Sequence, residues 1–287
     1  MICNLCPRQC AAVRGKKDGD GYCALGALPK IARIAPHYWE EPCISGTKGS
    51  GAVFFSGCTL RCVFCQNYEI SAKCKGRYIT PAELCEEIKK LETSGVHNIN
   101  LVSPTPFVEA ISEAFEIYKP NIPIVYNCSG YEKVETLKKL EGLVDVYLPD
   151  FKYSDDTLAL KFSGAKNYTD TALAAIGEML RQTKSIEYDN DNMMTRGTII
   201  RHLVLPNHTK NSIEALKLLA ENFGSPLVSL MCQYIPCGKA KEILELNRKI
   251  TKREYEKVKR FLLELGLDGF VQDMSSADEK YVPLWDY

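Results

Sequence analysis

The chain has 287 residues, and its 36 Lys+Arg balance its 36 Asp+Glu. A neutral chain has no basic excess to hold nucleic-acid phosphates, and no run of about 18 uninterrupted apolar residues is present to cross a membrane. Thirteen cysteines, grouped in tight clusters behind a start without a signal-peptide core, argue against a disulfide framework and for metal ligation in a reducing cytoplasm.

Residues 1–48 form the first unit, a Cys-rich extension with abundant Gly, Arg and Lys and no clear periodicity. Metal ligation is what easily orders so short an apolar-poor segment. Cys3, Cys6, Cys10 and Cys23 follow the spacing C-x2-C-x3-C-x12-C. Four thiolates can close a tetrahedral zinc site or hold a second [4Fe-4S] cluster. Pro7, Gly15, Gly19 and Gly21 suit tight chain reversals around either group. The reading here leans to zinc or another structural site over an electron-relay cluster, although zinc ribbons use two C-x2-C pairs and one is present.

From residue 49 to 287, short β-rich runs alternate with helical patterns. Strands are predicted at Ala52–Phe55, Ile99–Val102, Ile124–Tyr126, Val144–Leu148, Thr198–Leu205, Leu227–Met231 and Phe270–Val271. These runs mostly lack strict alternation, as strands buried on both faces do. Helices are predicted after the capping boxes Thr80-Pro81-Ala82-Glu83 and Thr251-Lys252-Arg253-Glu254. Val134, Leu137 and Leu140 mark another helix, and Leu173, Ile176 and Leu180 a fourth. The stretch Glu187–Arg196 reads as a polar surface loop. Strand–helix alternation implies a parallel sheet. Six or seven repeats are too few to close an eight-stranded barrel, so the predicted fold is α/β: an open, partial (β/α)6 TIM-like barrel with a Cys-rich N-terminal extension. Such barrels place chemistry at the C-terminal ends of their strands.

The segment after the first of these strands is Gly57-Cys58-Thr59-Leu60-Arg61-Cys62-Val63-Phe64-Cys65-Gln66-Asn67. Its three cysteines at C-x3-C-x2-C supply three thiolates where a cubane [4Fe-4S] cluster usually takes four, which leaves one iron open. Half of a zinc site and inert buried thiols are the plain alternatives. Both the spacing and the Cys-Gln-Asn continuation resemble the radical S-adenosylmethionine (SAM) superfamily, and within it the homologues of the pyruvate formate-lyase activating enzymes. The resemblance spans roughly residues 40–275. It implies that Cys58, Cys62 and Cys65 hold a [4Fe-4S] cluster whose open iron takes SAM, and that an electron from the cluster cleaves SAM to a 5′-deoxyadenosyl radical.

The same resemblance points to further residues at strand ends. Phe64 matches the aromatic position beside the adenine, although core packing explains it equally well. Asn127 and Ser129 fall in a turn like those that contact the ribose, and Ser129 is also a candidate helix cap. Asp150 and Lys152 resemble a D-x-K element, in which the ammonium neutralises a carboxylate. Arg201 matches an arginine that contacts SAM, whose carboxylate would partner a guanidinium too costly to bury alone. On the opposite face of that strand, His202 reads as packing. The chain departs from the activating enzymes at Ser103-Pro104-Thr105-Pro106, where they carry Gly-Gly-Glu to receive the SAM amino group. Ser103 and Thr105 accept hydrogen bonds there without charge. Gln233 and Tyr234 stand near where those enzymes have a histidine.

The function expected is therefore hydrogen abstraction from a protein, peptide or small molecule, glycyl-radical enzyme activation among the options. A reductant such as flavodoxin or ferredoxin is the implied partner, with neither nucleic acid nor membrane. The alternative is a non-catalytic iron–sulfur electron carrier or metal-binding scaffold.

Overall fold

A computed structural model gives the fold and describes residues 2–281, 283 and 285. In chain order its strands are β1 (Lys30–His37), β2 (Ser50–Phe55), β3 (Arg77–Tyr78), β4 (Ile99–Val102), β5 (Ile124–Cys128), β6 (Val146–Pro149), β7 (Glu187–Tyr188), β8 (Met194–Thr198), β9 (Ile200–Leu203), β10 (Val228–Met231) and β11 (Gly269–Val271). Every residue of β2, β4, β5, β6 and β10 is buried. Covered on both faces, these runs have no polar side to show, which is why they do not alternate.

β2, β4, β5, β6 and β8 pair in parallel in that order. A second parallel sheet joins β9, β10 and β11, and a bridge between Asp150 and Arg201 links the two sheets. Antiparallel β1 covers the outer edge of β2. Among the described residues nothing pairs β11 back to that edge, so the barrel is open. The fold is an α/β partial barrel. Among the described residues no helix is long and apolar enough to cross a membrane.

The structure differs from expectation in three places. The run Thr198–Leu205 is broken at Ile199: β8 pairs with β6, while β9 pairs with β10. The Glu187–Arg196 stretch is a β7–β8 hairpin rather than an open loop. Its Asp-Asn turn is solvated, yet Met193 and Met194 behind it are buried. Strand β1 lies inside the stretch that showed no periodicity. It buries Ile31 and Ala32, but Lys30, Arg33 and Pro36 interrupt its pattern. An edge strand tolerates them, because β3 pairs only with Lys30 and Ile31 on its outer side.

Both capping boxes form. Thr80 Oγ1 accepts from the Glu83 amide at 3.2 Å and Glu83 Oε2 accepts from the Thr80 amide at 2.7 Å, opening the helix Pro81–Thr93. Thr251 and Glu254 repeat this at 3.2 and 2.8 Å ahead of Lys252–Glu264. Each helix turns its predicted apolar stripe inward: Leu84, Ile88 and Leu91 in one, Tyr255, Val258 and Leu262 in the other. Burying each such side chain contributes roughly 1.5–3 kcal/mol. In the helix Tyr168–Thr183, Ile176 is buried while Leu173 and Leu180 are half-buried. The helix Thr209–Phe223 was not anticipated from the sequence.

Removing one cap tests the account. Thr251→Ala should lower stability by about 1 kcal/mol in urea denaturation. Thr251→Ser, which keeps the hydroxyl, should stay close to wild type.

Candidate active site

Past Phe55 the chain leaves the sheet through Gly57, at φ 83°. A Cβ there would stand 2.3 Å from the Leu25 side chain, so both conformation and space favour glycine. The loop that follows carries Cys58, Cys62 and Cys65 at the C-terminal end of β2. The Leu60 amide donates to Cys58 Sγ at 3.4 Å, and Ser163 Oγ donates to Cys62 Sγ at 3.0 Å. Burial pushes the Cys58 thiol up and the Cys65 thiol to about 12, and the neighbouring Cys62 raises both further. Such thiols ionise only beside strong positive charge, which a bound metal would supply.

Cys62, Phe64 and Cys65 line one wall of a cavity of about 440 Å³, and Gln66 and Asn67 extend that wall. Asn127, Asp150, Lys152 and Arg201 line the floor from the ends of successive strands. The volume suits a small-molecule ligand.

Arg201 organises the floor. Its Nε donates to Asp150 Oδ1 at 2.9 Å, its Nη1 to Glu40 Oε2 at 3.0 Å, and its Nη2 to Asn127 Oδ1. Glu40 Oε1 in turn accepts from the Asn100 and Asn127 side-chain amides, both at 3.1 Å. Lys152 Nζ pairs with Asp150 Oδ2. Two cations thus face two anions. Burial works against the Asp150 carboxylate, but Arg201 and Lys152 outweigh it and hold the group below the usual range. Burial likewise disfavours charge on Lys152, and Asp150 more than restores it. The sequence left Arg201 to be partnered by a bound carboxylate; the protein itself supplies that partner through Glu40 and Asp150. Glu40 is the residue that sequence reasoning missed. It lies in the extension, far from any motif, and only the fold brings it to Arg201.

The other predicted residues divide between the cavity and the core around it. Phe64 meets the cavity and also packs against Tyr153, Phe162 and Tyr234, with ring centroids 6.1–6.5 Å away. Ser103, Thr105 and Ser129 are absent from the cavity lining. Ser103 takes a left-handed turn, at φ 59°, and its amide donates to the Asn127 carbonyl. Thr105 turns into the core and donates to Glu132 Oε1 at 2.8 Å. The Ser129 carbonyl accepts from the Tyr168 hydroxyl at 3.1 Å, and the next helix starts only after Lys133, whose side chain makes no cap. His202 is buried with Nδ1 2.6 Å from the Phe151 carbonyl, a packing position. Gln233 and Tyr234 line the cavity.

Among the described residues, no three His, Cys, Asp or Glu side chains are arranged to hold a single metal ion. In a tetrahedron with Zn–S of about 2.3 Å the sulfurs stand about 3.8 Å apart. A cubane places each thiolate on a different iron and lets them stand wider. The triplet, three clustered thiols beside a ligand-sized cavity, is compatible with such a cluster.

Residues 52–220 match the radical SAM superfamily, and the chain belongs to that family, whose cofactors are a [4Fe-4S] cluster and SAM. An uncharacterised protein of Methanocaldococcus jannaschii is 31% identical over 276 residues, 93% of this chain and 75% of that one. Among solved structures, a radical SAM methyltransferase from Sphaerobacter thermophilus superposes with a TM-score of 0.55 at 16% identity. That match covers 77% of this chain and 65% of the methyltransferase. Methylornithine synthase gives a TM-score of 0.52 at 17% identity, covering 77% of this chain and 70% of its own. At these identities the two structures share the fold alone. The chain is thus a radical SAM enzyme built on a partial barrel.

Glu132 offers a test of the buried site. Burial pushes its carboxyl up to about 8 despite hydrogen bonds from Thr105 and Tyr126. Between the ordinary carboxyl range and pH 8 the native state therefore binds a proton that the unfolded chain has lost, and stability falls as pH rises, by about 1.4 kcal/mol per unit from this one group. Glu132→Gln, which has no such proton, should flatten that decline in urea denaturation at pH 5.5 and 8. An unchanged slope would remove Glu132 as its source.

Proposed function

We propose that Cys58, Cys62 and Cys65 hold three irons of the [4Fe-4S] cluster and that SAM occupies the cavity beside them. The observation that carries this reading is the cavity itself, which joins Cys62 and Cys65 to Lys152 and Arg201. When bound, the cluster supplies the electron that splits SAM and yields a 5′-deoxyadenosyl radical. The chain's own residues bind and orient. Lys152 keeps ammonium donors beyond its pair with Asp150 and takes the SAM carboxylate. Arg201, satisfied by Glu40 and Asp150, fixes the floor on which SAM rests. Asn127 is placed to meet the ribose, and Phe64 to meet the adenine. Ser103, Thr105 and Ser129 then act behind the ligand by shaping strand ends.

The substrate gives up a hydrogen atom and is a protein, peptide or small molecule; glycyl-radical activation belongs to this class. The electron comes from a flavodoxin- or ferredoxin-type donor. A carrier without SAM chemistry has no need of a 440 Å³ cavity floored by four buried charges.

Protein reconstituted anaerobically and reduced with dithionite should release 5′-deoxyadenosine from SAM, read by liquid chromatography. Cys58→Ala, Cys62→Ala and Cys65→Ala should each release none. Lys152→Met should bind SAM about ten- to a hundredfold more weakly, the loss of one charged hydrogen bond of roughly 1.5–3 kcal/mol. An intact, reduced wild-type cluster that yields no 5′-deoxyadenosine overturns the reading in favour of the carrier.

A further inference from the structure

The cysteines of the extension are not used by this chemistry, yet the fold gathers them. Cys3, Cys6, Cys10 and Cys23 line one small cavity, together with Thr59 from the catalytic loop. A Cβ on Gly21 would stand 3.1 Å from Cys10 Sγ and 2.7 Å from the Ala12 side chain, so the glycine makes room for the thiol. The segment is tied down on both sides. The Leu5 carbonyl accepts from Thr136 Oγ1 at 2.8 Å, and Arg61 from the triplet loop donates to the Cys23 carbonyl at 3.2 Å.

Arg8, between Cys6 and Cys10, reaches furthest. Its Nε donates to the Thr59 carbonyl at 2.7 Å, its Nη2 to the Ser163 and Leu60 carbonyls at 2.7 and 3.3 Å, and its Nη1 to the Gly164 carbonyl. Tyr22 lies under the guanidinium, 3.8 Å from it, and donates to the Leu60 carbonyl. Thr59 and Leu60 separate Cys58 from Arg61, and Ser163 holds Cys62. A single cation thus grips four carbonyls around the triplet, and it hangs between two cysteines of the extension.

We infer that Cys3, Cys6, Cys10 and Cys23 hold a second [4Fe-4S] cluster, and that this cluster fixes Arg8 against the loop carrying the catalytic triplet. Four thiolates satisfy all four irons of a cubane, so the group is closed and structural, unlike the triplet. The four line one shared cavity, one thiol for each iron of a cubane. A folded segment with few apolar side chains needs such an anchor.

The test removes one site at a time. After anaerobic reconstitution, wild type should hold about eight irons and eight sulfides per chain, and a Cys58→Ala/Cys62→Ala/Cys65→Ala variant about four of each. A Cys6→Ser/Cys10→Ser variant should also keep about four, now in the triplet. One zinc per chain in the triplet variant, or no metal at all, overturns the second cluster. Arg8→Met should keep the full iron count but lose most of the change that SAM causes in the reduced cluster's electron paramagnetic resonance spectrum. An unchanged response overturns the clamp. The iron count does not depend on SAM cleavage: a wild type with about eight irons that makes no 5′-deoxyadenosine defeats the proposed chemistry and leaves the second cluster standing.

Discussion

One buried guanidinium holds the two halves of this barrel together. Arg201, at the start of the second sheet, forms the bridge to Asp150 at the end of the first, and its side chain then reaches Asp150, Asn127 and Glu40. Those partners come from the ends of β6 and β5 and from the segment after β1. The ion pairs are almost enclosed, with side-chain exposures of 11–14%. Charges so placed cost several kcal/mol each to desolvate, and removing one partner from such a set typically costs 3–5 kcal/mol. Arg201 therefore ties the sheet break, the cavity floor and the extension into one unit.

The same network decides what the cavity offers a ligand. Arg201 gives three of its five N–H donors to Asp150, Glu40 and Asn127, so the protein already holds it before anything binds. Lys152 too has donors to spare, because an ammonium has three and Asp150 uses only part of them. The guanidinium identified from its strand position lines the cavity and is held there by Glu40 and Asp150.

The loop after β2 is built from the other side by the extension. Leu25 fills the space that a side chain at residue 57 would need, and Arg8 and Tyr22 hold the carbonyls between the cysteines. A loop of eight residues carrying three thiols has little internal structure of its own. Its shape comes from hydrogen bonds made by residues about 40 to 50 positions earlier. The extension thus contributes directly to the geometry at the candidate cluster.

Local patterns carried much of this protein. The parallel strands were legible because a strand buried on both faces must be apolar throughout, and the helices because Thr80 and Thr251 satisfy helix-end amides with neighbours three residues away. The triplet was legible because its spacing lies within eight residues. What the chain alone did not reveal depends on residues far apart in sequence. β1 was hidden because an edge strand need not be apolar. The break at Ile199 was hidden because it follows from which strand lies alongside. Glu40 was hidden because a lone carboxylate acquires meaning only beside Arg201, 161 positions away. Ser103, Thr105 and Ser129 were placed near the site by their order along the chain, and tertiary packing set their directions: Thr105 faces Glu132 because a buried hydroxyl must find a hydrogen-bond partner, and the nearest lay in the core.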